Sequence, residues 1–309
     1  MKYDLLTIGD TSIDMFMKVD DATVHCDVNH ENCEISFKYG EKIPVEEFRI
    51  SVGGNSINVA SGTSKLGLKT KVYTELGDDN NADLAINALK ENGVSTEFCT
   101  KNKDSITNTH PIVVFKGERT IFSHHEPKTY KLGNFGKPAI VYYTSLGEGF
   151  EDFQKELLEL LKESTETIFA MNPGSTMMKI GLEEIKKVFE RLDILFVNKE
   201  EARKIIGKDL ETDKLHKELT NMGIKLSVIT DGTNGSSCFD GQNIYKEEIH
   251  DFGKKVDATG AGDSFAAGFL SAIHHKKSAQ EALRWGSRNA GSVITKIGAL
   301  EGLLTKEEI

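Results

Sequence analysis

The chain has 309 residues, 38% apolar and 28% charged, a balance expected of a folded globular protein. Its formal charge of −10 argues against general nucleic-acid binding, which relies on an excess of Lys and Arg. No apolar run reaches the roughly 18 residues a membrane helix needs, and the N-terminus lacks signal-peptide design, so the chain reads as cytoplasmic, with no membrane partner.

Residues 3–9 form a short apolar run that closes on Gly9, with Asp10 and Asp14 just beyond, as a buried strand handing a loop to a site would. After Gly53 and Gly54, residues 55–66 place Ile57, Ala60, Ser61 and Ser64 at helical spacing, and Gly67 supplies a stop. Strand and helix then alternate. Strands are expected at 71–76, 140–143, 167–171, 194–197 and 226–230, with helices at 82–91, 150–161, 182–191, 199–206 and 213–221. Two longer helical patterns, 262–274 and 278–295, complete the C-terminal part. Such alternation implies an α/β fold with a central, mostly parallel sheet flanked by helices.

Residues 19–50 and 95–122 break this rhythm and read as short strands with turns. They are expected to pair as a small β-sheet lid over the carboxyl edge of the main sheet. No linker or repeat divides the chain, so 1–309 is read as one domain with lid segments inserted at about 14–50 and 95–122.

Cys26, Cys33, Cys99 and Cys238 are few and scattered, which does not suggest a disulfide scaffold and suits a reducing compartment. Cys26 and Cys33, with His25 and His30 nearby, raise a zinc site, but the spacing matches no familiar knuckle and packing of lid strands is the better account.

The strongest chemical signal is Asp257-Ala258-Thr259-Gly260-Ala261-Gly262-Asp263, a glycine-rich turn leading into an apolar helix. Glycines admit close approach of a ligand, and amides at a helix start favour a phosphate. Asp263, in the first turn, suits proton acceptance from a substrate hydroxyl, although an isolated Asp there would ordinarily only complement the helix dipole. The turn is neither a Walker A loop nor a Gly-x-Gly-x-x-Gly loop, because Phe265 stands in the third glycine's place.

Gly53-Gly54-Asn55-Ser56-Ile57-Asn58 combines glycines that admit a substrate with amides that match hydroxyls; read alone, it is a loop capping its helix. Asn198 and Glu201, after the strand at 194–197, share one face of a starting helix; read alone, they are a cap and a surface acid. Asp14 by itself fits a turn as well as a site.

With Ile8-Gly9-Asp10 and Ile297-Gly298-Ala299 in the same order, residues 257–263 resemble the signature of the ribokinase/PfkB carbohydrate kinase family, over nearly the whole chain. The resemblance implies a ribokinase-like fold and an ATP:sugar phosphotransferase, moving the γ-phosphate to a hydroxyl of a small sugar. It implies Asp263 as base, with Gly260, Ala261 and Gly262 forming the anion hole. Asp14, Gly53, Gly54, Asn55 and Asn58 would hold substrate hydroxyls. Asn198 and Glu201 match an Asn-x-x-Glu element acting on Mg²⁺ through its waters, and Thr230, Gly232 and Gly235 a nucleotide-binding turn, with Asn289 near the base. Asp257 and Thr259 stand where family members hold a monovalent cation such as K⁺.

Gly117-Glu118-Arg119-Thr120 also resembles sugar-kinase members, though read alone it is a hairpin turn. His110, His124 and His125 lie near it and reach the substrate or serve structure. In relatives the lid contributes to a dimer, so a homodimer is implied. Two other readings are a nucleoside kinase, with Phe16, Phe37 or Phe115 as a platform for the base, and a non-catalytic sugar or nucleotide sensor. Intact Asp263, Asn198 and Glu201 argue against the sensor.

Overall fold

The structure, a computed structural model, describes residues 3–27, 33–116 and 118–309. The first part of the chain runs through β1 (Leu5–Ile8), β2 (Ser12–Lys18), β3 (Thr23–Cys26), β4 (Cys33–Ser36), β5 (Glu47–Gly53), α1 (Asn55–Lys65), β6 (Thr70–Gly77), α2 (Asn80–Glu91), β7 (Ser95–Asn102), β8 (Asn108–Phe115) and β9 (Glu118–Ile121). The middle holds β10 (Ile140–Tyr143), α3 (Glu151–Lys162), β11 (Ile168–Met171), α4 (Gly174–Ile180), α5 (Leu182–Lys186), β12 (Ile194–Asn198), α6 (Lys199–Ile206), α7 (Thr212–Asn221) and β13 (Leu226–Thr230). The chain closes with β14 (Ser236–Phe239), β15 (Ile244–Glu247), α8 (Ala261–His274) and α9 (Ala279–Val293).

Nine strands form one sheet in the order β15-β14-β13-β12-β11-β10-β1-β6-β7. From β7 to β13 neighbouring strands run parallel, and β14 and β15 add an antiparallel edge. Both faces are covered, so the central strands are apolar without a break, as doubly covered parallel strands are. Leu6, Val141, Phe169 and Leu195 face Phe153, Leu157, Ile185 and Leu219 of α3, α5 and α7. The alternate residues Leu5, Tyr142, Ile194 and Phe196 pack with Val59 of α1, Phe265 and Phe269 of α8 and Leu283 of α9. Burying a side chain as completely as Phe269 is worth about 1.5–3 kcal/mol.

A second sheet, ordered β5-β2-β8-β9, joins the two segments that depart from βα rhythm. Its centre is the parallel pair β2–β8, in which Asp14 lies opposite His110. Here the expected boundary is corrected: residues 95–102 form β7 on the edge of the large sheet, and the second segment of the small sheet begins at Asn108. This edge strand, STEFCTKN, is mostly polar and nowhere fully buried, so its composition alone points to the wrong sheet.

Two further expectations change. The helix expected at 182–191 ends at Lys186 and continues as turns, with Val188 N–H reaching Ile185 O and Phe189 N–H reaching Lys186 O. Cys26 and Cys33 face each other across the β3–β4 hairpin in a disulfide, so their sulfurs are not zinc ligands. His30 lies outside the described residues. That bridge closes one hairpin only; Cys99 and Cys238 are free thiols.

Candidate active site

Strands β10 to β13 end at one edge of the sheet, and the loops leaving them meet α1 and α8 there. A cavity of about 260 Å³ opens at this edge, lined by Asn55, Asn172, Asn198, Glu201, Thr230 and the Gly260–Asp263 turn. This is the carboxyl edge, where open parallel sheets present ligand crevices. Residues distant in sequence, on α1, β12, β13 and α8, are thereby brought to a single wall.

The start of α8 depends on Gly260. Its φ of 73° is left-handed, and a Cβ there would sit 2.3 Å from the Ala299 Cβ, so the final loop closes directly over the turn. Gly262 differs: a Cβ on it would meet nothing within 4 Å, so the space in front of it is open. Ser264 N–H makes the first helical bond, to Gly260 O at 2.8 Å, and Ala261 N–H is already paired with Ala258 O at 3.3 Å. The amides that follow Ala261 in this first turn have no acceptor within the helix, and the dipole adds positive potential.

Asp263 stands in that turn with Oδ2 accepting a 2.8 Å hydrogen bond from Asn58 Nδ2 on α1. Burial pushes its carboxyl up to about 6; the Asn58 bond opposes that rise and the nearby Glu201 charge adds to it. A carboxylate poised near neutrality can both accept and release a proton. The two helices approach closely enough for this contact because Gly62 of α1 has no side chain, where a Cβ would lie 2.7 Å from the Ala267 Cβ of α8.

Asp14 is buried on β2, where Oδ1 accepts from Ser12 Oγ at 3.1 Å and lies 3.3 Å from His110 Nδ1. Gly53 leaves room for it, since a Cβ there would fall 2.5 Å from Asp14 Oδ2. Gly54 turns the chain into α1 at φ 107° and packs on Asp10 O, at 2.5 Å from where its Cβ would stand. Asn58 Oδ1 and His110 Nε2 are buried polar atoms with no partner among the described residues. His125 stacks edge-on with His110 at 5.2 Å and contacts Thr176, whereas His124 is exposed.

Asn198 and Glu201 form a reciprocal capping box on α6: Glu201 N–H donates to Asn198 Oδ1 at 2.8 Å, and Asn198 N–H donates to Glu201 Oε2 at 3.0 Å. Both also line the cavity, so capping and a ligand role are compatible. Burial raises the Glu201 carboxyl above its ordinary value, against the pull of the Asn198 N–H bond.

Thr230 reaches the cavity at the end of β13, and Gly232 and Gly235 bound a short turn beyond it. Gly235 is required by a left-handed φ of 84° and by Glu247 O, 2.3 Å from where its Cβ would be. Asn289 is not brought to the cavity. It is fully buried, its Nδ2 donating to Ser264 O at 2.7 Å and its Oδ1 accepting from Leu304 N–H at 3.0 Å, so its amide holds the C-terminal segment against α8.

The positions expected to hold a monovalent cation are filled differently. Arg119 on β9 donates through Nη1 to both Asp257 Oδ1 and Thr259 Oγ1. Gly117, the first residue of that motif, lies outside the described residues. Asp257 Oδ2 accepts from Gly298 N–H at 3.0 Å, and Oδ1 accepts from Thr259 N–H at 2.9 Å and Thr259 Oγ1 at 2.7 Å. Burial alone would raise the Asp257 carboxyl, but these bonds and the Arg119 charge together hold it below its ordinary value.

Asn172 is a lining residue that sequence reasoning missed. Its Nδ2 donates to Phe196 O at 2.9 Å, and its Oδ1 accepts from Gly174 N–H at 3.0 Å and lies 3.5 Å from Asn55 Nδ2. A signal exists for it, because Asn172-Pro173-Gly174 follows an apolar strand at the same edge as Asn198 does.

The sequence profile of the pfkB family carbohydrate kinases matches residues 14–306. The ATP-dependent 6-phosphofructokinase of Thermoanaerobacterium thermosaccharolyticum is 24% identical over 326 residues, covering 98% of this chain and 91% of its own. Probable fructokinase-5 of Arabidopsis thaliana is 26% identical over 277 residues, covering 82% and 85% respectively. Among solved structures, Arabidopsis thaliana ribokinase complexed with ribose and ATP matches with a TM-score of 0.83 at 20% identity, over 100% of this chain and 97% of that one. The nucleoside kinase of Methanocaldococcus jannaschii matches at 0.79 and 20% identity, over 99% and 96%. These likenesses in structure establish the ribokinase-like fold, and the family match along almost the entire chain adds what fold alone does not: the protein belongs to the pfkB family of carbohydrate kinases.

Proposed function

We propose that the protein transfers the γ-phosphate of ATP to a hydroxyl of a small sugar or sugar derivative, with Asp263 as the base. The observation that carries this reading is Asp263 itself: a carboxylate tuned to about 6, in the first turn of α8, beside an open glycine and a cavity large enough for phosphates. The acceptor O–H would give its proton to Asp263 as the new O–P bond forms and the bond to the ADP oxygen breaks. Amides of the Gly260–Gly262 turn would stabilise the transferring phosphoryl group.

On the acceptor side, Asp14, Asn55 and Asn58 would hold hydroxyls, with Gly53 and Gly54 giving room. The orphaned acceptor Asn58 Oδ1 supports this, because a buried carbonyl oxygen without a donor is costly until a ligand hydroxyl supplies one. On the nucleotide side, Thr230 and Asn198 line the cavity, and Gly232 and Gly235 shape the turn beside it.

Magnesium fits the residues present. The Glu201 carboxylate and the Asn198 side chain line the cavity and offer hard oxygen donors, the kind that suits an ion that keeps most of its waters and leans on substrate phosphates. Glu201 and Asn198 would hold it through water, and when bound it would neutralise charge on the β- and γ-phosphates.

The small sheet would act as the lid, since its strands β2 and β5 bring Asp14 and Gly53 together next to the turn into α1, whose Asn55 lines the cavity. Its edge strand β5 exposes Phe48 and Ile50, which supports pairing of two copies as a homodimer through that sheet. A nucleoside is the second reading for the acceptor, favoured by Phe16, which lines a neighbouring cavity under the small sheet; Phe37 and Phe115 instead pack in a separate apolar cluster. A cytoplasmic location, where MgATP is supplied, suits either acceptor.

The test is a panel of sugars, sugar phosphates and nucleosides with MgATP, read by release of ADP. Acceptor-dependent release with at least one sugar supports the proposal. Release with nucleosides alone would move it to the second reading, and binding without release would make the protein a sensor.

A further inference from the structure

Asp257 sits directly before the Gly260 turn, and its position is fixed by two backbone amides, Thr259 N–H on Oδ1 and Gly298 N–H on Oδ2. It thereby joins the turn that begins α8 to the final loop that closes over it. A carboxylate at this point needs a positive counter-charge, because it is part-buried and stands beside the place where phosphate charge would gather. Its own Thr259 hydroxyl gives a hydrogen bond but no charge.

The counter-charge is present within the chain. Arg119 Nη1 donates to Asp257 Oδ1 and to Thr259 Oγ1, side-chain oxygens of the two residues expected to stand at a monovalent-cation position. A guanidinium nitrogen and a bare cation cannot both occupy that point, and the fixed charge of Arg119 would repel a second one placed beside it. Arg119 comes from β9, at the edge of the small sheet, where it lies opposite Val114. The cation is therefore delivered by the small sheet and not by solvent.

We infer that Arg119 is a built-in replacement for a monovalent cation, so that the protein works without potassium and the docking of the small sheet itself completes the turn before α8. Arg119 is a positioning residue: it acts through Asp257 and Thr259 on the backbone of the Gly260–Gly262 turn. The site is reachable from solvent, because a cavity of about 210 Å³ opens beside it, lined by Arg119, Asp257, Ala258, Lys255 and Ile297. Removal of the guanidinium would leave a vacated cation position that ions can enter.

The first readout is thermal unfolding of the full chain without substrate, in potassium, sodium, caesium, choline and dilute guanidinium chlorides at equal ionic strength. Wild type is expected to unfold at the same temperature in potassium and choline salts. Arg119→Ala is expected to unfold at a lower temperature in choline and to regain stability selectively in potassium or guanidinium, while Arg119→Lys stays indifferent. A purely structural role for Arg119 would lower stability in every salt alike. If Arg119→Ala does not fold, Arg119→Gln, which keeps the volume and a donor but not the charge, takes its place.

The second readout is acceptor-dependent ADP release, expected to be equal in potassium and choline salts for wild type and stimulated by potassium by about tenfold in Arg119→Ala, the scale of one charge-assisted contact. Selective stabilisation of wild type by potassium, or a variant indifferent to every cation, would overturn the inference. Unfolding temperatures do not depend on turnover, so failure of the kinase reading would leave this test intact.

Discussion

Asn58 on α1 and Asp263 on α8 are 205 residues apart in sequence, yet Asn58 Nδ2 lies 2.8 Å from Asp263 Oδ2 and donates a hydrogen bond to it. That bond links the acceptor-side helix to the proposed base, and it opposes the rise in the Asp263 carboxyl that burial imposes. The proposed substrate-binding and proton-accepting parts of the site are thus mechanically and electrostatically one unit.

Asn58→Leu tests this coupling. Loss of the donor removes a hydrogen bond that favours the charged carboxylate, so the Asp263 carboxyl should rise further above about 6. Because the proposed reaction needs the deprotonated form, the acid limb of kcat against pH is expected to move to higher pH. Turnover should fall by about tenfold at pH 6, the scale of one hydrogen bond to a charged group, and by less at pH 8. An unmoved acid limb would separate Asp263 from the titrating group.

Stability gives an independent view of the same carboxyl. Its folded value, about 6, lies above the ordinary 3.8, so the folded state binds the proton more tightly than the unfolded chain does. The favourable contribution is complete below the ordinary value and is lost as pH rises through about 6, leaving a buried charge that opposes folding at neutral pH. Asp263→Asn should therefore raise the unfolding temperature at pH 7.5, with the gain shrinking towards pH 4. Thermal melts of both proteins across that range measure it.

Gly53→Ala probes the acceptor side. A methyl group 2.5 Å from Asp14 Oδ2 must displace that carboxylate. The expected outcome is a rise of about tenfold or more in KM for the acceptor, with KM for ATP little changed, as for loss of one charged hydrogen bond. Equal effects on both constants would place Asp14 outside acceptor binding.

The homodimer proposal rests on an exposed apolar edge. Phe48 is 57% exposed and Ile50 46% exposed on β5, which is a terminal strand of the small sheet. Light scattering should give twice the 34.2 kDa chain mass for wild type and the single mass for the Phe48→Asp, Ile50→Lys double variant. A wild-type monomer at working concentrations would remove the proposal.

Much of this was legible in the chain itself, and for physical reasons. The parallel strands are apolar because both their faces are covered, and the turn before α8 is marked by Gly260, which its tight packing on Ala299 demands. What escaped sequence reasoning depended on pairings between distant residues. The edge strand β7 is half exposed, so its composition resembles that of a lid strand. Arg119 and Asp257 are 138 residues apart, and no local pattern signals that they meet. Asn289 resembles a ligand residue in its motif, but only the packed structure reveals that Ser264 and Leu304 already use its amide.

The role of Asp263 as base is decided by steady-state turnover of Asp263→Asn beside its affinity for ATP, measured calorimetrically. kcat is expected to fall by about 10²–10⁴-fold, the usual contribution of a positioned base, with ATP binding largely retained. A variant that turns over at a near-normal rate would contradict it.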